Sequence, residues 1–216
     1  MYREICIIIT IILCFGILSG CNNKEASDTS EHNLSVDELK TSTNKDLFLP
    51  LIDTSSENKM VNEAKKVVED FWSIDLSDAN SFINKNEGEN NLVISWLGTK
   101  QNYCYAAYVN LQEKSIVGMD RLNQSGEHAV SDEAKETYIS TAKNFAQTSL
   151  NSGGNVGPCY IPKLPSGVEV SSLLVSFPDE ALYVEIASDL STVGYRFFSD
   201  DAALQKFLSE RTEKFS

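Results

Sequence analysis

Few side-chain types in this chain are arranged for chemistry. It holds two histidines, His32 and His128, together with five cysteines and 31 carboxylates. No His pair, HExxH or CxxC spacing occurs, so a zinc or other histidine-rich metal site is not expected. A Ser-His-Asp triad would need His128 as its base, yet no G-x-S-x-G elbow presents a serine. Cys104 or Cys159 could pair with His128 as thiol and imidazole, but Cys104 falls in mid-strand and His128 has no evident orienting group. Carboxylates are plentiful, and glycoside hydrolysis needs only two of them facing each other across a cleft. Glu69, Asp70, Asp75 and Asp78 fall on a helix and the turn after it, which reads as a solvated face. Asp200-Asp201 read as favourable charge at a helix start. No D-x-D-x-D-G loop offers a calcium site. Gly153-Gly154-Asn155-Val156-Gly157 has no strand leading into it and no Lys-Ser/Thr after it, so it reads as a helix stop rather than a phosphate cradle. No catalytic residue, metal ligand or cofactor site is assigned.

Cys21 is placed for a different chemistry. Arg3 precedes an apolar run from Ile5 to Leu18, and Leu18-Ser19-Gly20-Cys21 closes it. The run is shorter than the roughly 20 residues a membrane-spanning helix needs, so residues 1–20 read as a removable secretory signal. The closing four residues resemble the bacterial lipobox. That resemblance implies cleavage between Gly20 and Cys21 and a thioether from the Cys21 sulfur to a diacylglycerol. Two acyl chains give stable membrane residence, at about 0.8 kcal/mol for each buried CH2. The expected location is the extracytoplasmic face of the cell membrane, with the lipid on Cys21 as the anchor.

Lysine and arginine total 18 against 31 aspartates and glutamates, a formal charge of −13. Such a surface repels nucleic-acid phosphates and anionic headgroups, so no nucleic-acid partner is expected and the acyl chains must do the anchoring. Cys6 and Cys14 leave with the signal, and the body keeps Cys104 and Cys159. An oxidising compartment permits a disulfide between them. Two separate thiols, at least one of them buried, are the alternative.

The elements that would carry any site follow from periodicity. Residues 21–58 are polar and read as a flexible tether, broken only by Leu47-Phe48-Leu49-Pro50-Leu51-Ile52, which either packs on the body or docks a partner. Met60, Ala64, Val67, Val68, Phe71 and Trp72 share a helical face. Ser73 to Asn91 reads as turn-rich, with one helical turn near Asp78 to Ile83. Strands are expected at Leu92 to Leu97, Tyr103 to Leu111 and Ser115 to Met119. A second helix follows Ser131, carrying Tyr138, Ile139, Ala142, Phe145 and Ala146. Strands at Val170 to Phe177, Leu182 to Ala187 and Val193 to Phe198 come next, then a helix from Asp201 to about Thr212.

The fold class is therefore α+β. Two helix-plus-antiparallel-sheet units are expected in tandem, 59–125 and 126–216, roughly 75 residues apart. Leu92-Val93-Ile94-Ser95-Trp96 echoes Leu173-Leu174-Val175-Ser176-Phe177. The helix with Ala142 and Ala146, the Gly153-Gly154-Asn155-Val156 stop and the Tyr183-Val184-Glu185-Ile186 strand resemble a PepSY-type domain. Tyr108-Val109-Asn110-Leu111 with Ile116-Val117 is similar to that family's closing hairpin. The family's usual Thr-Gly turn is replaced by Gln112-Glu113-Lys114 and Asp189-Leu190-Ser191. The resemblance implies a non-catalytic extracellular module associated with envelope proteins and peptidase regulation. On that expectation the protein binds an envelope protein partner, with Tyr103 and Tyr183 as sheet-surface anchors. The rival classes are a cell-wall hydrolase using paired carboxylates and an accessory subunit of a membrane complex.

Overall fold

The structure is a computed structural model that describes residues 48–85, 90–98, 104–121, 129–163 and 171–215. Ser56 opens the first helix, α1 (Glu57–Trp72), by accepting the Lys59 N–H on its hydroxyl. Met60, Ala64 and Val68 form its buried stripe, and the helix stops at Ser73, whose φ of 53° is left-handed. The second helix, α2 (Lys135–Ser149), follows a 3-10 turn at Asp132–Ala134 and buries Tyr138, Ala142 and Ala146. Two alanines on one face let it lie close to what it covers. The third, α3 (Asp201–Arg211), is capped by Asp200, whose Oδ1 accepts the Ala203 N–H at 2.8 Å.

These helices pack on one nine-stranded antiparallel sheet. Its strands are β1 (Ala79–Lys85), β2 (Asn91–Gly98), β3 (Cys104–Asn110), β4 (Ser115–Arg121), β5 (Cys159–Pro162), β6 (Ser172–Phe177), β7 (Leu182–Ala187), β8 (Thr192–Phe197) and β9 (Thr212–Lys214). The spatial order is β1-β2-β3-β4-β8-β7-β6-β5-β9. Three strands correct the sequence reading. β1 forms where a turn-rich stretch was expected, because Ile83 pairs with Ile94 and Ser81 with Trp96. β5 lies between the Gly153-Gly154 helix stop and the strand expected from Val170, where no strand was read, and β9 begins at Thr212, where the last helix was expected to end.

Two meanders, β1–β4 and β5–β8, meet along β4 and β8. They do not form separate bodies: residues 47–216 make one compact unit, and the junction expected near residue 125 is bridged by a shared sheet. The register at the seam pairs Gly118 with Arg196, Met119 with Tyr195 and Asp120 with Gly194. Irregularities fall at matching places, Tyr108/Val109 in one meander and Glu185/Ile186 in the other.

Alternation along the strands assigns the faces. Leu92, Ile94 and Trp96, with Leu173, Val175 and Phe177, join Ala64 and Val68 of α1 and Ala142 and Ala146 of α2 in the main core. On the other face Leu174 and Tyr183 pack under Leu204 and Leu208 of α3. The body starts earlier than residue 59. Phe48 stacks on Phe71 at 5.7 Å, Ile52 is buried, and the Ile116 N–H donates to the Pro50 carbonyl. The 48–52 segment thus packs along the body as irregular backbone.

Candidate functional site

Cys21, Tyr103, His32 and His128 lie outside the described residues, as does most of the tether. Cys104 and Cys159 are both buried and are not joined. β4, β8, β7 and β6 stand between their strands. Five strand spacings put them about 24 Å apart, whereas a disulfide needs Cα atoms within roughly 7 Å. The structure therefore excludes the Cys104–Cys159 bridge. Burial also pushes the Cys159 thiol up from its ordinary value, which disfavours the thiolate.

Tyr183 is corrected as well. It is only 4% exposed, because α3 lies over it and Phe207 stacks on its ring at 5.3 Å. Burial holds its hydroxyl well above the ordinary tyrosine range, and it is no surface anchor. The helix-end carboxylates brace a turn. Glu69 accepts the Leu76 N–H at 2.8 Å and pairs with Lys65 at 3.8 Å. Asp75 is held below its ordinary value by the Ser77 backbone and hydroxyl.

The carboxylates brought together lie elsewhere, on the α3 side of the seam. Asp120 of β4 and Glu185 of β7 both stand opposite Gly194, one strand to either side of it. A Cβ added at Gly194 would fall on Asp120 Oδ1, so the missing side chain leaves the space that Asp120 occupies. Asp120 Oδ2 accepts the Tyr108 hydroxyl at 2.5 Å, while Oδ1 has no partner among the described residues. Glu185 Oε1 accepts the Ser172 hydroxyl at 2.6 Å. Arg196 spreads over the Tyr108 ring at 4.4 Å and the Phe198 ring at 5.0 Å.

Burial is the main reason that the Asp120 carboxyl is pushed up to about 7, with the Glu185 charge adding to it. The Tyr108 hydrogen bond and Arg196 oppose that rise without cancelling it. Glu185 is raised as well, again by burial first. The pair can hold a proton near neutral pH. Asp120 is only 5% exposed, however, and Tyr108 already occupies one of its oxygens. Among the described residues, no three His, Cys, Asp or Glu side chains are grouped to hold a metal ion.

Sequence reading missed this cluster because its members occupy the polar slots of alternating strands. One signal was present: Val117-Gly118-Met119-Asp120 matches Val193-Gly194-Tyr195-Arg196 in its Val-Gly start. The matched glycines face each other's neighbours across the seam.

The second feature is the outer edge. Among the described residues β1 ends the sheet, and α1 runs beside it. Between them lies a groove of about 600 Å³, lined by Glu57, Asn58, Val61 and Asn62 of α1 and by Ser81, Ile83 and Lys85 of β1. Phe82, on the opposite face of β1, is 53% exposed. Compared with known proteins, the chain matches no family model, no curated protein and no solved structure. No helix among the described residues is long and apolar enough to cross a membrane.

Proposed function

We propose that the protein is a lipid-anchored extracytoplasmic lipoprotein whose folded body is a non-catalytic binding module for an envelope protein. The observation that carries this is the lipobox-like Leu18-Ser19-Gly20-Cys21 set a short, polar stretch ahead of a single packed unit, 47–216. A lipid on Cys21 would keep the body near the membrane. The open edge beside α1 gives it a surface to offer. The PepSY-type likeness points the same way and rests on the residues quoted for it alone.

The hydrolase alternative gains one specific observation, the Asp120–Glu185 pair. Its weakness is access: a sugar ring cannot be laid against a carboxylate that is 5% exposed and already bonded by Tyr108. An accessory subunit of a membrane complex remains a special case of the binding reading, in which folding depends on the complex. Crosslinking in intact cells, comparing the native chain with Cys21→Ala, tests the proposal. One dominant envelope partner, lost with the anchor, supports it. Equal capture by both forms removes the anchor from the function, and no reproducible partner overturns the reading.

A further inference from the structure

We propose that β1 receives an extended segment of a partner protein as a tenth strand, seated against α1 and carrying basic residues beside the Ala79 end. This rests on the binding-module reading and specifies the form of the contact. The two edges of the sheet differ in the way that matters for strand addition. β9 is three residues long and includes Glu213 and Lys214, the short, charged form by which sheets avoid pairing. β1 is seven residues long, has no proline, and carries its one charge at the last position, Lys85. Its outward N–H and C=O groups form a ladder for one more chain.

The groove then sorts the side chains of that chain. Alternate residues of an added strand point to opposite faces. One set falls over Val61 and Ile83, and the other lies beside Phe82, covering an aromatic ring now 53% exposed. The occupant is thus a segment whose residues on the Phe82 side are apolar, while the alternate set, facing Glu57, Asn58, Asn62 and Ser81 beside Val61 and Ile83, is small or polar.

Charge selects among the chains that could fit. A depression of about 440 Å³ lies at the end of α1, lined by Glu69, Asp70 and Asp75, just ahead of β1 in the chain. Asp75 stays ionised because Ser77 holds it below its ordinary value. A second copy of this chain brings its own −13 formal charge to the contact. The preceding stretch, residues 22–46, has six acidic residues against three lysines. Both are repelled, whereas lysine or arginine on a partner segment is attracted.

The test uses the full-length chain in its own membrane. A photo-crosslinking residue replaces Ser81 in one version and Lys206, exposed on α3, in another. Capture of one protein at Ser81, at least about tenfold above capture at Lys206, is expected, with the crosslink mapping to a segment rich in Lys or Arg. A synthetic peptide copying that segment should slow amide exchange at residues 79–85 of the full-length protein, less so at raised salt. Capture at Lys206 but not at Ser81 overturns the edge proposal and leaves the binding module standing. A Ser81 product made of two copies of this chain, or a peptide that binds without protecting residues 79–85, also overturns it. No capture at either position overturns the proposal and the binding-module reading together.

Discussion

The two meanders are built to one plan and finished differently. In β5–β8 the face away from α1 and α2 is closed by α3, through Leu204, Phe207 and Leu208, and β9 shields the edge. In β1–β4 the same face leaves Phe82 exposed, and the edge strand is long and nearly uncharged. Val93 and Leu97 belong to neither core cluster among the described residues. The added helix and strand thus cover the second meander on a face and an edge where the first stays more exposed.

The difference is sharpest at the seam, where Asp120 of one meander takes the place held by Arg196 in the other. Asp120 titrates at about 7 in the fold, against an ordinary carboxylate value near 4 in the unfolded chain. Between those values the folded chain keeps a proton that the unfolded chain has lost. The contribution of this group to stability is therefore full below about pH 4, falls as pH rises towards 7 and is gone above it. The full effect is roughly 4 kcal/mol as an upper bound. Urea unfolding at pH 5 and pH 8 should show this loss in the native chain and a much smaller one in Asp120→Asn. A native chain equally stable at both values would refute the buried acid.

Leu204→Ala probes the closed half. The side chain is fully buried under α3, and its removal should cost about 3 kcal/mol. The denaturation midpoint reads this directly. Closer to the seam, Gly118→Ala sets a Cβ 2.6 Å from the Tyr195 carbonyl, and Gly194→Ala sets one on Asp120. Each should cost about 2 kcal/mol. Adding Asp120→Ala should relieve part of the Gly194→Ala loss and none of the Gly118→Ala loss, which a double-mutant cycle measures. The smallest effect belongs to the open half: Phe82→Lys should change stability by less than about 0.5 kcal/mol. A loss as large as that of Leu204→Ala would show that Phe82 is structural and end the contrast.

Much of the scaffold was legible in the residues. α1 and α2 showed through Met60, Ala64, Val68 and Tyr138, Ala142, Ala146, and β2, β6 and β7 through apolar alternation or runs. β1 was not legible, because Phe82 and Ile83 are adjacent and the rest is polar but for Ala79, so no alternation marks it. Its strand state comes from pairing with β2. Tyr183 looked solvent-facing because the sequence places Leu204, Phe207 and Leu208 on a closing helix but does not show which strands that helix covers. Asp120 and Glu185 were invisible as a pair for a related reason. They meet only because β4 and β8, far apart in sequence, are neighbours.

The 48–52 strap decides where mechanical load enters the body. The Phe48 N–H donates to the Leu150 carbonyl, the Ile52 N–H to the Lys114 carbonyl, and Pro50 accepts from Ile116. A pull arriving from the residues before Phe48 is borne first by the end of α2 and the start of β4, in the middle of the sheet. β1 takes no part in these bonds. Force entering through Phe48 therefore loads the middle of the sheet, and β1 at its edge is not peeled by it.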